Sequence, residues 1–167
     1  MNISIPLPFP RLEGLLKRKN YYESRADLFY YKVVKDWINR YSPGKQIIDV
    51  GSHSTPIVLE GEFEHRMMVD IKPFQVDYPQ VEQIQTDWMT LDLEEKADLV
   101  LCLQVLEHLD DELVSRFAQK VIASGKKAIV SVPYRWRKGY CKYHCQDPVT
   151  LEKLISWTSQ EPVEYYI

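Results

Sequence analysis

The residues best suited to chemistry fall in four short groups, each at the end of an apolar run. The first is Asp49-Val50-Gly51-Ser52, closing the run from Gln46 to Val50. An acid followed by a glycine turn suits a cationic ligand, because the carboxylate supplies charge and glycine lets the backbone come close. The second is Asp70, with Ile71 after it, closing Arg66 to Val69. Asp70 follows the first run by about 20 residues, the spacing at which an acid accepts the hydroxyls of a ribose in nucleotide-binding sheets. The third is Asp87-Trp88, closing Glu82 to Thr86. An acid there can accept an exocyclic amine and an indole can stack on a base, although a core tryptophan fits the same pattern. The fourth is Leu103-Gln104, with Glu107 and His108 just beyond the run from Asp98 to Leu103.

Two histidines compete for a general-base role. His108 follows the fourth run, and His144 lies in the loop after the fifth. An unperturbed imidazole titrates near neutral pH, so either ring can take a proton. His53 and His65 sit in or after the first loop and are weaker candidates. Cys141, His144 and Cys145 offer three zinc-type ligands with no nearby fourth, which falls short of a structural site, so no metal is expected. The stretch Tyr134-Arg135-Trp136-Arg137-Lys138 is aromatic and basic. Aromatic faces suit sugar rings or planar metabolites, and arginine suits carboxylate or phosphate. Glu107, Tyr134, Arg135 and Trp136 are therefore the candidate substrate contacts.

The elements that must position these groups alternate along the chain. Residues 1–19, proline-spaced and then basic, read as an irregular arm. From Tyr21 to Tyr41 the apolar positions Leu28, Tyr31, Val34, Ile38 and Tyr41 recur at helical steps, until Ser42-Pro43-Gly44 stops the pattern. The four runs above, a fifth from Lys127 to Val132 closed by Pro133, and a possible sixth from Val163 to Ile167 read as strands. Residues 52–65 are short for a full crossover helix and suggest a single turn or an irregular crossover. A helix with Leu113, Val114, Phe117, Val121 and Ile122 on its apolar side separates the fourth and fifth runs, with Gly125 as its stop. A second is expected to open at Asp147-Pro148, with Asp147 as N-cap. Continuous apolar strands separated by helices indicate a parallel sheet covered on both faces. Such sheets bind ligands outside the carboxyl ends of their strands, which is where every group above falls.

Composition narrows the setting. The chain has 167 residues, 45% hydrophobic, enough for one core. A formal charge of −3 gives no nucleic-acid footprint. Three cysteines and a proline-broken N-terminus argue against a secreted disulfide framework. No apolar run approaches a membrane span. A cytoplasmic protein with a small-molecule partner, and neither nucleic acid nor membrane, is expected; the oligomeric state is not legible.

In order and spacing, the four strand-end groups resemble the class I, Rossmann-like S-adenosylmethionine (SAM)-dependent methyltransferases. Val105-Leu106-Glu107-His108-Leu109 resembles a variant found among their small-molecule members. The resemblance implies a doubly wound, mostly parallel α/β sheet over residues 20–167, lacking part of the family's C-terminal strands. It implies SAM as cofactor, with Asp49 and Gly51 at its methionine end, Asp70 and Ile71 at the ribose, Asp87 and Trp88 at the adenine, and Leu103 and Gln104 along the methionine side. It implies methyl transfer to a small-molecule acceptor, expected to be a hydroxyl of a sugar, glycoside or acidic metabolite. The family loop carries two or three glycines where this chain has Gly51 alone, followed by Ser52 and Ser54. A non-catalytic module of the same fold is the alternative. A nicotinamide-dependent oxidoreductase is disfavoured, since it calls for G-x-G-x-x-G at this turn and Asp49 would face the pyrophosphate.

Overall fold

The computed structural model describes Tyr22, residues 25–53 and residues 55–167. The expected arm at 1–19, Tyr21 and Ser54 lie outside the described residues. Five strands, β1 (Gly44–Val50), β2 (Phe63–Asp70), β3 (Glu82–Gln85), β4 (Ala97–Leu103) and β5 (Gly125–Ser131), form one sheet. Its order is β3-β2-β1-β4-β5, and every pairing is parallel. Helices α1 (Phe29–Tyr41), α2 (Val114–Ala123) and α3 (Leu151–Thr158) cover it. The fold is α/β and doubly wound, as the class I resemblance implies.

Strand alternation assigns the two faces. Ile47, Leu99, Leu101 and Ile129 point to the side of α1, where Tyr31, Val34 and Ile38 complete a buried cluster. Ile48, Val50, Val100 and Cys102 point to the other side, against Val114, Phe117 and Val121 of α2 and Trp157 of α3. Burial on both faces explains why the second half of β1 and nearly all of β4 are buried, with Leu99 to Leu103 an unbroken apolar run.

Among the described residues, only α2 serves as a full crossover helix between strands. β1 connects to β2 through one 3-10 turn (Pro56–Leu59), the first of the two arrangements expected there, and β3 connects to β4 through another (Trp88–Thr90). Several boundaries differ from the sequence expectation. α1 begins at Phe29, not Tyr21, and residues 25–27 form a turn. Gly125 opens β5 instead of stopping α2; a Cβ there would lie 2.9 Å from a Val100 methyl and 2.5 Å from the Lys127 carbonyl oxygen. α3 begins at Leu151, with the Thr150 hydroxyl accepting from Lys153 N–H, so Asp147 does not cap it.

The expected sixth strand is absent among the described residues. Val163 to Ile167 is exposed and irregular. The segment lies beside α1, where Glu164 pairs with Arg40 at 3.2 Å and the Tyr166 ring meets Phe29 at 5.2 Å. No helix of the described residues is long and apolar enough to cross a membrane.

Candidate functional site at the carboxyl edge of the sheet

The strand order reverses direction between β1 and β4, so the chain leaves these neighbours on opposite sides, the place at which parallel sheets bind ligands outside their carboxyl ends. Gly51 and Val105 meet there. Gly51 has φ +74°, and a Cβ there would fall 2.5 Å from a Val105 methyl, so the turn needs glycine for both conformation and space.

Asp49 is 1% exposed and its Oδ2 has no hydrogen-bond partner. Burial pushes its carboxyl up to about 8, and the nearby Asp70 charge adds to that. Ser52, two residues past the strand end, is also buried with its Oγ unpartnered. Buried polar atoms without partners are costly, so a pair of them at one strand end calls for a polar partner there. Asp70 is engaged differently. Its Oδ2 accepts from His53 N–H and its Oδ1 from Lys72 N–H, both at 2.8 Å. The carboxylate therefore pins the β1 turn to the end of β2 and retains lone pairs for further donors. Ile71 beside it is exposed at the edge.

Asp87 and Trp88 do not act as a pair. Asp87 is exposed and caps the 3-10 turn after β3 by accepting from Met89 N–H. Trp88 is 3% exposed and belongs to the α2-side core, with the Lys120 ammonium 5.3 Å from its ring centre. The expectation that its indole is presented for adenine stacking is thus corrected: the hydrophobic demand of the core claims the ring.

At the end of β4, Gln104 takes φ +58°, and its Nε2 donates to Ser131 Oγ at the end of β5. Such a conformation is uncommon outside glycine and concentrates at functional sites. Leu103 beside it is partly buried. Beyond it, a 3-10 turn (Leu106–His108) is stitched to the loop after β5. The Glu107 carbonyl accepts from both Cys145 N–H and Gln146 N–H, and the Gln146 side chain donates to Leu109 O and Asp111 Oδ1. This stitching brings Glu107, His108 and His144 together, a convergence across 36 residues that spacing alone did not reveal.

Within the cluster, Glu107 is 1% exposed and its Oε2 is unpartnered. Burial pushes its carboxyl up to about 8, and Asp147 contributes in the same direction. His144 Nδ1 lies 2.9 Å from Asp147 Oδ2 in a buried pair. His108 Nδ1 lies 3.0 Å from the Tyr143 carbonyl oxygen. The two imidazoles meet edge-on, with centres 4.9 Å apart, and Trp136 stacks on His144 at 5.5 Å. Tyr134 and Arg135 run beside Val149, two residues past Asp147, with the Arg135 guanidinium 5.2 Å from the Tyr134 ring centre. Asp147, read from the sequence as a helix cap, is instead the partner of His144. Ser131 was not singled out in the sequence at all.

No family description matches the chain, and no curated protein matches it. Solved structures do. N-methyltransferase NodS from Bradyrhizobium japonicum WM9 superposes with a TM-score of 0.57 at 14% identity, covering 80% of this chain and 83% of NodS. The plantazolicin methyltransferase BpumL, in complex with a pentazolic desmethylPZN analog and S-adenosyl-homocysteine (SAH), gives 0.59 at 12% identity, covering 83% and 66%. SAM-bound CalS10, an amino pentose methyltransferase from Micromonospora echinaspora, gives 0.53 at 21% identity, covering 72% and 53%. The chain thus spans about half of CalS10 and just under two thirds of BpumL. At these identities the likeness establishes the fold: that of the class I SAM-dependent methyltransferases.

Proposed function

We propose that the chain binds SAM across the carboxyl ends of β1, β2 and β4 and directs its methyl group to a small-molecule acceptor held at the Glu107–His108–His144 cluster. The observation that carries this reading is the pair of buried, unpartnered atoms, Asp49 Oδ2 and Ser52 Oγ, beside Asp70 where the strand order reverses. Asp49 meets the positive charge of the methionine end, Gly51 lets the backbone come close, and Asp70 accepts the ribose hydroxyls. Asp87 and the exposed Ile71 flank the adenine end. Leu103 and Gln104 line the methionine side. Bound SAM supplies an activated methyl on a sulfonium, so the protein's part is chiefly alignment of acceptor, methyl and sulfur.

The acceptor we favour is a hydroxyl oxygen of a sugar, glycoside or acidic metabolite. His144, held by Asp147, is oriented to accept the hydroxyl proton on its other ring nitrogen as the oxygen bonds to the methyl carbon and the carbon–sulfur bond breaks. Asp147 then steadies the charged ring. Trp136 and Tyr134 offer faces for a ring-shaped acceptor, and Arg135 offers a contact for an acidic one. NodS and CalS10, described as N-methyl and amino pentose methyltransferases, make nitrogen the competing acceptor.

A second reading has its own support. Both oxygens of Asp70 already hold backbone N–H groups, and the turn carries one glycine, so a binding module without turnover is the alternative. Calorimetric titration with SAH, followed by SAH-release assays over hydroxylated and aminated sugars and aromatic acids, separates the readings. SAH binding with methylation of a hydroxyl supports the first, binding without turnover the second, and no SAH binding defeats both.

A further inference from the structure

We infer that Glu107, His108 and His144 form a binding site for one divalent first-row transition ion of the zinc type. One ligand atom from each of the three residues lies within 4.8 Å of the others. Two imidazoles and a carboxylate are a donor set suited to Zn2+, Co2+ or Fe2+, and three protein ligands leave a coordination position open.

What separates this cluster from a chance meeting of polar side chains is how each ring is held. Metal-bound histidines almost always engage their second ring nitrogen with a carboxylate or a backbone carbonyl, which fixes the ring and raises its basicity. Both arrangements occur here. His144 Nδ1 is taken by Asp147 Oδ2 at 2.9 Å, and His108 Nδ1 by the Tyr143 carbonyl at 3.0 Å. Each ring is left with Nε2 as its ligand atom. The carboxylate gives an independent indication: Glu107 is 1% exposed, and its Oε2 has no partner. His108 Nε2 lies 4.0 Å from Glu107 Oε1, too far for a hydrogen bond, so neither group satisfies the other.

Ligands at ordinary zinc distances stand about 3.3 Å apart on a tetrahedral ion, so the cluster must tighten by up to about 1.5 Å. His108 can supply the movement, because its side chain is 43% exposed. The cysteines are not part of the site. Cys145 Sγ is directed at the His108 carbonyl, 3.5 Å away, and Cys141 is not among the clustered ligands. The sequence expectation of no metal considered His144 with its neighbours in the chain, whereas the fold pairs it with Glu107 and His108.

The binding claim stands apart from methyl transfer; only its use rests on that reading. The base role given to His144 above is that of the metal-free chain. With the ion bound, both imidazoles are ligands. An acceptor hydroxyl on the open position would lose its proton to water, eased by the cation, while its oxygen takes the methyl.

Cobalt(II) titration of the chelator-treated chain, followed by visible absorption and by competition with Zn2+, tests the site. Saturation at one equivalent is expected, with nitrogen- and oxygen-ligand bands and no thiolate charge-transfer band. His108→Ala, His144→Ala and Glu107→Gln should each weaken binding at least tenfold, and Asp147→Asn by about 10–100-fold through the ring it orients. Cys141→Ser and Cys145→Ser should bind as the parent does. Should Glu107→Gln fail to fold, His108→Ala, at an exposed ring, decides. No saturation below about 1 mM, a thiolate band, or undiminished affinity in His108→Ala overturns the proposal. SAH titration of the same samples keeps the two readings distinct: ion binding without SAH binding defeats methyl transfer and leaves the ion site standing.

Discussion

His144 Nδ1 and Asp147 Oδ2 lie 2.9 Å apart in a buried pair, and the other carboxylate oxygen of Asp147 has no partner. The carboxylate therefore fixes which nitrogen of His144 faces its own side and which faces Glu107 and His108. Loss of that orientation should affect the reaction and not the cofactor. Asp147→Asn is expected to lower turnover on a methyl acceptor by about 10–100-fold, with SAH affinity held within twofold. His144→Ala should lose more. Unchanged turnover in Asp147→Asn would remove the pair from the mechanism.

Asp70 serves two purposes in this reading, and the two can be separated. It holds the His53 and Lys72 N–H groups, and it is proposed to accept ribose hydroxyls. Asp70→Asn keeps one accepting oxygen and removes the charge. SAH affinity should fall at least tenfold, since charge-assisted hydrogen bonds are about twice as strong as neutral ones. Calorimetry is the measurement, with circular dichroism as the check on the fold. Equal affinity would take Asp70 out of the ribose role.

Trp88 makes the opposite prediction. As a core residue, Trp88→Leu should reduce unfolding free energy in urea by roughly 1–3 kcal/mol and leave SAH affinity unchanged. Weaker SAH binding at full stability would restore the stacking assignment.

These two residues illustrate what the sequence could and could not convey. Strands β1, β2, β4 and β5 were legible because each carries a cluster of apolar residues toward its carboxyl end, buried on both faces in the inner strands β1 and β4. The strand-end acids were legible because a parallel sheet gathers its carboxyl ends on one edge. Trp88 was not: nothing local distinguishes an indole turned into the core from one turned toward a ligand. Val163 to Ile167 has strand-like composition, yet a strand also needs a partner edge, and this segment contacts Arg40 and Phe29 of α1 instead. The meeting of Glu107 and His108 with His144 depends on hydrogen bonds from Cys145 and Gln146 to one carbonyl, a tertiary detail with no local signal.

Gly51 should tolerate no side chain. Its φ of +74° strains any L-residue, and an added Cβ would meet Val105 at 2.5 Å. Gly51→Ala is expected to destabilise the fold by about 1–3 kcal/mol and to weaken SAH binding, because the β1 turn must shift away from Val105. Urea unfolding and SAH titration measure both effects; a variant matching the parent in both would mean that the turn is not constrained as described.

Asp49 carries a signature in pH. Its carboxyl is pushed from an ordinary value of 3.8 up to about 8, by burial first and by Asp70 second. At pH values below about 4 the group is protonated in both folded and unfolded chains and has no effect on stability. Above that, the unfolded chain ionises Asp49 while the folded chain does not, so stability falls as pH rises, by up to about 1.4 kcal/mol per unit, and levels off beyond about 8. Asp49→Asn removes this dependence. The variant's stability advantage should start near zero in acid and grow to several kcal/mol by about pH 8. Asp98, whose carboxyl Lys126 holds below the ordinary range, acts in the opposite sense but equally in both proteins, so it cancels from the difference. The ammonium at a ligand's methionine end reverses the sign of the Asp49 effect: it favours the ionised form, so SAH, which keeps that ammonium, should bind the parent more tightly as pH rises toward 8, and the variant with a flatter profile. Urea unfolding of both proteins from pH 4 to 9, with SAH titrations at the same points, measures the two slopes. Parallel stability curves would show that Asp49 ionises freely in the folded chain, and parallel affinity curves would remove it from the methionine end of the cofactor.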